Sequence, residues 1–472
     1  MLEFEPFSLE TLKRVLPYIK QSKSLCSDIS AGSLFMWRED YDLRFCVYND
    51  TFILHEKIGD QSAFSWPIGK DVNGMVDELI KYVRANNLAL RFCEVDDETL
   101  EIIKSDSRLS PVMSAYDSRW SDYVYSFSEA MTFKGNKYKG QRNHINKFKR
   151  LYGEPVVRFV EPGDIGRIKN MLSEYGKSHG DANAVEKLEA QNTEILFDIY
   201  KDFDMYAACL EVEGEIAAVS IGEVIGDMLI LHVEKALTRY EGVYPTMYNG
   251  FVNLIAKGLC RELKYINRED DAGDEGLRIS KLQYHPIGRV NKYLAHVNSP
   301  AARIGEFPVI DLGDIVLTEF RESDKPAYLE LNTDVENNRY WGYDYREDDE
   351  ITRIDENTFY DFTAIDMRAG DSVNFAIRLS TDGDMIGEAI LWNFKPDCAE
   401  LGCRIMPRYH GRGYGTAVFK AVAQFAESRL KVAVVAKCFN QNTASYRMIE
   451  SSGFVKTGAD EKYTYFKRSA PQ

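Results

Sequence analysis

The stretch RYHGRGYG, Arg408 to Gly415, constrains its surroundings more tightly than any other part of the chain. Before it, AELGCRIM reads as a strand. After it, Thr416 to Leu430 reads as a helix, because Val418, Val422, Phe425 and Ala426 recur at helical spacing. Glycines at 411, 413 and 415 let backbone N–H groups approach a ligand closely. The start of the following helix adds a positive end. A strand, glycine loop and helix in this order suit a phosphate or pyrophosphate, although a glycine trio alone reads first as a flexible turn. GxxxxGK[ST] is absent, so no P-loop is expected. The spacing is GxGxG, not GxGxxG, and no acidic residue follows about 20 positions later on a second strand, which excludes a dinucleotide fold.

The same order of elements occurs twice. After the Asp314 to Phe320 strand, SDKPAYLELN starts a helix capped by Ser323, and NFAIRLSTDGDMIGEAILW is a hairpin turning at Asp382 and Gly383. VAVVAKC is a buried strand, Thr443 to Ser452 a short helix stopped by Gly453, and KYTYFKR a last strand. Earlier, PGDIGRIKNMLSEY is a helix with Asp164 near its start. LEVEGEIAAVSIGEVIGDMLILHVEKA then turns at Glu213-Gly214 and Gly226-Asp227. A helix from Thr246 to Cys260 and a strand from Lys264 to Asn267 follow. Two distant copies of one α/β module are expected. With 472 residues the chain is too long for one core. The Pro- and Gly-punctuated run from Val297 to Asp314 marks a boundary. The expected division is residues 1–300, with lobes near 1–150 and 155–300, a linker at 301–313 and a domain at 314–472.

Charge narrows the partners. A net charge of -16 disfavours general binding to nucleic acid or an anionic membrane. No apolar run is long enough to cross a bilayer, and the acidic start MLEFEPFSLETLKR is no signal peptide. A cytoplasmic protein without membrane insertion is expected. The eight cysteines form no CxxC pair and read as reduced, buried thiols. No metal site is assigned: Asp270, Asp271 and Asp274 fail the calcium-loop frame and read first as a polar loop, with a weak divalent-ion site as the alternative.

Arg408-xx-Gly411-x-Gly413-x-Gly415 after a strand resembles the [RQ]xxGxG[AG] loop of the GNAT acyltransferases. AELGCRIMPRYHGRGYGTAVF looks like that family's splayed strand, loop and helix, and FNQNTASYRMIESSGF like its NxxSxxxxExxGF segment. With RYWGYDYRED upstream, the form is closest to the branch that acetylates N-terminal amines of ribosomal proteins. The resemblance covers about residues 310 to 470 and implies acetyl-CoA as cofactor. It implies cofactor contacts by Arg408, Gly411, Arg412, Gly413, Gly415, Thr416, Asn442 and Ser445, with backbone from Arg404 through Ile405 to Met406 polarising the thioester. Glu400 matches the strand glutamate that accepts the amine proton, and Tyr446 is the candidate donor to the departing thiolate. Tyr340, Trp341 and Tyr343 are either a wall of the acceptor groove or a local hydrophobic plug.

The first 300 residues carry two further motifs. FKGNKYKGQRNHINKFKR reads as a helix with Tyr138, Ile145, Phe148 and Tyr152 on one stripe and Arg142, Asn146, Lys149 and Arg150 on another face. That basic face suits RNA phosphates, coenzyme A phosphates or solvent alone. The second motif is NREDDAGDEGLRISKLQYHP, Asn267 to Pro286. Together with HVEKA at His232 to Ala236, these segments resemble the phosphatidylglycerol lysyltransferase C-terminal domain family. That resemblance implies a paired GNAT fold related to the Fem-type transferases, which take an amino acid from aminoacyl-tRNA. It makes Arg142, Asn146, Glu234, Lys235, Asp270, Asp271, Arg278 and Lys281 candidate site residues.

The expected fold is therefore α/β (α+β): a paired GNAT-like region followed by a single C-terminal GNAT domain. The leading expectation is an N-acetyltransferase moving acetyl from acetyl-CoA to a primary amine of a peptide, protein or small molecule. Attack is expected to be direct, because no cysteine stands at a convincing nucleophile position. The alternatives are aminoacyl transfer from tRNA by the first 300 residues, which the acidic charge disfavours, or a non-catalytic recognition module there.

Overall fold

In the computed structural model, which describes residues 2–59, 61–178, 184–260, 263–347 and 353–468, the chain divides into two units. The first holds Met1–Glu78, Cys93–Thr99 and Asp117–Lys292; the second holds Leu79–Phe92, Leu100–Tyr116 and Tyr293–Gln472.

Within the first unit, left-handed turns shape a seven-stranded sheet. Glu213 (φ 51°) and Gly214 (φ 84°) both take the conformation a tight hairpin requires. They join Tyr206–Val212 to Glu215–Ile225, and Gly226 and Asp227 lead on to Met228–Ala236. From edge to edge the seven strands are Gly288–Val290, Asp122–Ser126, Tyr265–Asn267, Met228–Ala236, Glu215–Ile225, Tyr206–Val212 and Val156–Phe159. Alternation puts Ala208 and Leu210 against the helix Val243–Leu259 and turns Ala207 and Cys209 the other way. On that other face they join a core with Leu12, Val15 and Phe45 of the first lobe. That lobe carries antiparallel strands Arg44–Tyr48, Thr51–Ile58 and Gln61–Phe64. Its helix Leu9–Ile19 is capped reciprocally by Ser8 and Thr11.

The second unit is built on an eight-stranded sheet in the order Ile310–Asp311, Val316–Thr318, Val373–Arg378, Met385–Trp392, Cys398–Ile405, Ala433–Phe439, Tyr463–Arg468, Phe454–Ala459. Val418, Phe419, Val422 and Ala423 of the helix Tyr414–Phe425 are buried in a core with Phe375, Leu391 and Val434 of the sheet. The expected repetition of element order is present. The order found from Val156 to Asn267 returns from Val316 to Phe439, and in each sheet a single pair of strands is parallel.

Three local expectations are corrected. Ser323 does not cap the helix Lys325–Thr333. Asp324 turns back to accept from Arg321 N (2.8 Å), and the helix begins after it without a side-chain cap. The helix expected from Thr416 to Leu430 starts at Tyr414, and its last turn, Ala426–Leu430, is π-helical and ends at Lys431 (φ 61°). Part of the expected linker is sheet: Ile310–Asp311 pairs with Val316–Thr318 across a turn at Gly313 (φ 86°). The second unit also takes in earlier chain. Val112–Tyr116 pairs with Tyr293–Val297, and Gly370 packs so closely that a Cβ there would meet Met113 Sδ at 2.8 Å.

Ion pairs to a buried aspartate stand just before a helix in both units, before Lys325–Thr333 in the second and Ile165–Ser178 in the first. In the second, Arg378 binds Asp324 through both terminal nitrogens (2.8 and 2.6 Å), with both side chains at most 2% exposed. In the first, Asp164 is gripped by Arg158 (2.6 and 2.8 Å) and Arg167, and the hydrogen bonds from Arg158 pull its carboxyl down to about 2. Asp324→Ala should lower stability by about 3–5 kcal/mol because it strands a buried guanidinium. Adding Arg378→Met should recover most of that loss in chemical unfolding. Asp164, depressed in the folded state, contributes above the unfolded carboxylate range, and its contribution is lost as pH falls from about 4 through about 2. Asp164→Asn should flatten the acid limb of stability by about 2–3 kcal/mol across that window.

Candidate active site at a strand fork

The strand Cys398–Ile405 pairs antiparallel with Met385–Trp392 up to Ile405, opposite Gly387. On its other side it pairs parallel with Ala433–Phe439 over Cys398, Ala399 and Glu400 only. Beyond Glu400 the two strands part. Cys403, Arg404 and Ile405, on the freed arm, line a cavity of about 710 Å³.

The glycine loop closes one side of this cavity, and its three glycines have different reasons to be there. Gly411 (φ 76°) and Gly413 (φ 80°) are left-handed, and a Cβ at either would meet nothing within 4 Å. They bend the chain and leave open space. Gly413 starts the helix Tyr414–Phe425 without a side-chain cap, so its first amides face outward unclaimed by a cap. Gly415 is instead a packing glycine: a Cβ there would stand 2.7 Å from Met448 Sδ of the helix Thr443–Ser451. His410 Nε2 folds back to Ile405 O (2.7 Å) and ties the loop to the strand.

The expected cofactor residues separate into two groups. Ile405, Gly411, Arg412, Gly413, Gly415, Thr416, Asn442 and Ser445 all line the cavity. Asn442 also caps its helix, accepting from Ser445 N (3.1 Å). Arg408 is drawn away by an ion pair with Glu330, and Met406 is buried among Tyr328, Leu331 and Phe359 with its N–H donated to Ile386 O (2.9 Å). Neither lines the cavity. Glu400 is buried at the fork, where Lys437 (3.2 Å) and Asn393 (3.3 Å) hold its carboxylate. Tyr446 packs edge-on against Phe466, with centroids 5.2 Å apart. Neither Glu400 nor Tyr446 is among the lining residues.

Several lining residues were not anticipated. Arg447 is exposed at the rim, and Cys403 stands on the wall with its thiol pushed up to about 12 by burial, so thiolate is scarce there. Arg404 spans the fork and the helices above it. Nε donates to Glu388 (2.6 Å), Nη1 to Asn338 (3.0 Å) and Nη2 to Asn332 (2.8 Å), and the ring of Trp341 covers the guanidinium at 4.6 Å. Asn337 Nδ2 reaches Ile405 O (3.3 Å). The only sequence signal for this bracing was the run of asparagines in ELNTDVENNRYW. Tyr340 and Trp341 line the large cavity. Tyr343 lines a second one of about 420 Å³, and Glu336 belongs to both. Asp348, the last residue of RYWGYDYRED, lies outside the described residues.

The first unit repeats the fork and then fills it. Met228–Ala236 pairs parallel with Tyr265–Asn267 over Met228, Leu229 and Ile230, then runs on alone on that side through HVEKA. The next helix, Val243–Leu259, again starts at a left-handed glycine without a side-chain cap, Gly242 (φ 81°). Here, however, a Cβ would lie 2.3 Å from His144 O, in the basic helix Lys139–Tyr152. That helix occupies the place that is open at Gly413. Its basic face is largely engaged. Arg142 binds the carbonyls of Phe133 and Gly135, Lys147 pairs with Glu241, and Lys149 with Glu154; Asn146 is exposed.

Other candidates of the first unit converge beside HVEKA. Glu234 accepts from Arg268 Nε (2.7 Å), whose guanidinium lies 4.5 to 5.5 Å from the rings of Tyr284, Tyr248 and Tyr125. Arg268 Nη1 and the Tyr248 hydroxyl are buried without a hydrogen-bond partner among the described residues. Lys281 is buried against the carbonyls of Arg268 (2.6 Å) and Asp270, and burial lowers its amine from the ordinary lysine range. Asp271 is held by Arg278 and Tyr123, while Lys235 turns to Glu189 (2.8 Å). Asp274 caps the helix Glu275–Leu282. Cys26, Asp28 and Asp122 are close enough to share a cation, and Lys292 puts its ammonium there, 2.6 Å from Asp28, 2.8 Å from Asp122 and 3.0 Å from Asp270. His232 sits between Glu223 (2.9 Å) and Glu269 (2.8 Å). Among the described residues no helix is long and apolar enough to cross a membrane.

Comparison with known proteins finds two matched segments. The family model for the phosphatidylglycerol lysyltransferase C-terminal domain matches residues 20–296, and that for the acetyltransferase (GNAT) domain matches residues 314–455. Among solved structures, a conserved protein of unknown function from Bacteroides thetaiotaomicron is 27% identical, with a TM-score of 0.56 over 63% of this chain and 100% of that one. The C-terminal domain of a lysylphosphatidylglycerol synthetase from Agrobacterium fabrum, so described in outline, is 14% identical, with a TM-score of 0.46 over 61% of this chain and 92% of its own. A GNAT-family acetyltransferase from Bacillus anthracis is 20% identical, with a TM-score of 0.30 over 34% of this chain and 97% of its own. No curated protein matches the chain. A stoppered fork followed by an open one thus corresponds to two matched segments, and the chain belongs to the phosphatidylglycerol lysyltransferase C-terminal family, with a GNAT acyltransferase domain after it.

Proposed function

We propose that the second unit is an N-acetyltransferase that moves acetyl from acetyl-CoA to a primary amine of a peptide, protein or small molecule by direct attack. The observation that carries this reading is the open fork, where strands part after Glu400 beside a helix that starts at a left-handed glycine over a cavity of about 710 Å³. The fit of the cofactor rests on the loop, where Cβ positions at Gly411 and Gly413 have nothing within 4 Å. Acetyl-CoA, when bound, supplies an activated acyl group and a thiolate leaving group. The amides at Gly415 and Thr416, with Arg412 and Arg447, would hold its phosphates. Ile405, Asn442 and Ser445 would take its pantetheine side.

The amine nitrogen bonds to the acetyl carbon as the carbon–sulfur bond breaks, and the amine gives up one proton while the thiolate gains one. Cys403 is the one cysteine among the described residues on the cavity wall, and its raised thiol favours direct attack over an acyl-cysteine. A protonated amine, near pKa 10.4 for a lysine type, is no nucleophile. We assign its proton to Glu400, at the fork, relayed by water because the carboxylate does not line the cavity. We place the reaction in the cytoplasm, on eight unpaired cysteines.

Aminoacyl transfer by the first unit is the second reading. It is favoured by the buried group of Arg268, Glu234, Lys281 and Tyr248, in which two polar atoms lack protein partners among the described residues. The engaged basic helix weighs against a broad tRNA grip.

Calorimetric titration of acetyl-CoA into the full chain should give one site per chain with micromolar affinity, about -8 kcal/mol. Gly413→Glu should abolish it. Absence of binding to the unaltered chain would overturn the acetyltransferase reading. Glu400→Gln should lower kcat by about 10²- to 10⁴-fold while leaving acetyl-CoA affinity unchanged. Unchanged turnover would remove Glu400 from the mechanism. Binding of aminoacyl-tRNA that weakens steeply with salt would instead support the second reading.

A further inference from the structure

The cavity of about 420 Å³ behind the fork is lined by six charged side chains among the described residues, three acidic and three basic. The acids are Glu336, Asp344 and Glu347; the bases are Arg339, Arg346 and Lys462. Asp344 and Arg346 spend their charges on each other, with Nε of Arg346 2.8 Å from Asp344 Oδ1. Glu347 is exposed and follows that pair in the same short turn. Four exposed charges remain for a ligand, Glu336 and Glu347 against Arg339 and Lys462. Glu336 is the residue shared by this cavity and the large one, so its carboxylate stands where an acceptor entering from one side approaches an acyl group arriving from the other. Arg339 and Lys462 are the cations, lying over the rings of Tyr340 (5.4 Å) and Phe439 (5.5 Å).

Glu336 is held in this place by its neighbours in sequence. It lies in the one-turn helix Val335–Asn338, where Asn337 bonds Ile405 O and Asn338 accepts from Arg404. Both anchors join the freed arm of the fork, so the backbone that carries Glu336 is tied to the strand that borders the cofactor cavity. A carboxylate at the junction attracts an ammonium group. Two cations lining the same small space repel a second ammonium and attract an anion. A polyamine satisfies the first and is penalised by the second.

We propose that the acceptor is zwitterionic: a primary amine carrying a carboxylate within a few bonds, bound with its ammonium at Glu336 and its carboxylate at Arg339 and Lys462. This rests on the acetyltransferase reading of the same unit. Two sources share that chemistry, a free α-amino acid and the N-terminus of a peptide that begins with an acidic residue.

The test is release of coenzyme A thiol from acetyl-CoA by the full chain with four amines in turn. They are glutamate, a tetrapeptide beginning with glutamate, putrescine and spermidine. The expected result is a kcat/KM for one of the first two at least about tenfold above both polyamines, as one like-charge contact avoided would give. Glutamate as the better of the two assigns a free amino acid, and the tetrapeptide a peptide terminus. Glu336→Gln should raise the KM of the preferred amine about tenfold and leave the acetyl-CoA KM unchanged. The double variant Arg339→Glu/Lys462→Glu should turn the preference toward spermidine. All three positions are exposed, so these variants should fold. Preference of the unaltered chain for a polyamine, turnover of none of the four, or a double variant with unchanged preference would overturn the zwitterionic assignment. The acetyltransferase reading falls separately, by failure of acetyl-CoA to bind.

Discussion

A strand that hydrogen-bonds along its length to one neighbour and for three residues to the other leaves a run of backbone polar groups without a ladder. In the second unit the rest of the site follows from how that deficit is met. Ile405 O is taken by His410 from the loop below and by Asn337 from the helix above. The side chain of Arg404 fans out to Glu388, Asn332 and Asn338, so one guanidinium ties the freed arm to its neighbouring strand and to the helices over it. Because Arg404 is buried and its bonds are charge-assisted, the arm is braced rather than loose. The cavity is what remains when a sheet is held open in this way.

The two forks of the chain show that the backbone device alone does not make a binding site. Each has a strand that parts from its parallel neighbour after three paired residues and a helix begun by a left-handed glycine. What differs is the occupant. At Gly242 the carbonyl of His144 and the side chain of Phe148 pack directly on the backbone, whereas at Gly413 the space is open. The basic helix, which by composition suited an anion, is mainly a structural plug.

Much of this was legible in the sequence where the information is local. Glu213-Gly214, Gly226-Asp227 and the glycine loop mark turns because only a few residue types accept left-handed backbone, and their neighbours alternate as strands should. The order of elements could be read in the same way, and the resemblance to the GNAT loop and its later asparagine segment named eight of the cavity-lining residues. What was not legible depends on partners far away in sequence. Arg408 looked like a phosphate ligand until Glu330, 78 residues earlier, claimed it. Ser323 looked like a cap, but Asp324 is bound to Arg378, 54 residues on, and it sets where the helix begins. Gly415 lines the cavity as expected, but its contact with Met448 could not be read from the loop. No spacing rule encodes these pairings, because each is decided by which charge or side chain the fold brings alongside.

The plug at Gly242 changes what that lobe's helix terminus responds to. A covalently tethered occupant has an effective concentration that dilution cannot lower, so its contacts contribute to folding under all conditions. An open terminus gains stability only through mass action, in proportion to the logarithm of free ligand over its dissociation constant. One chain therefore holds two versions of the same backbone device. The first is permanently saturated by its own helix, and the second has a stability that tracks the supply of whatever small molecule fills it.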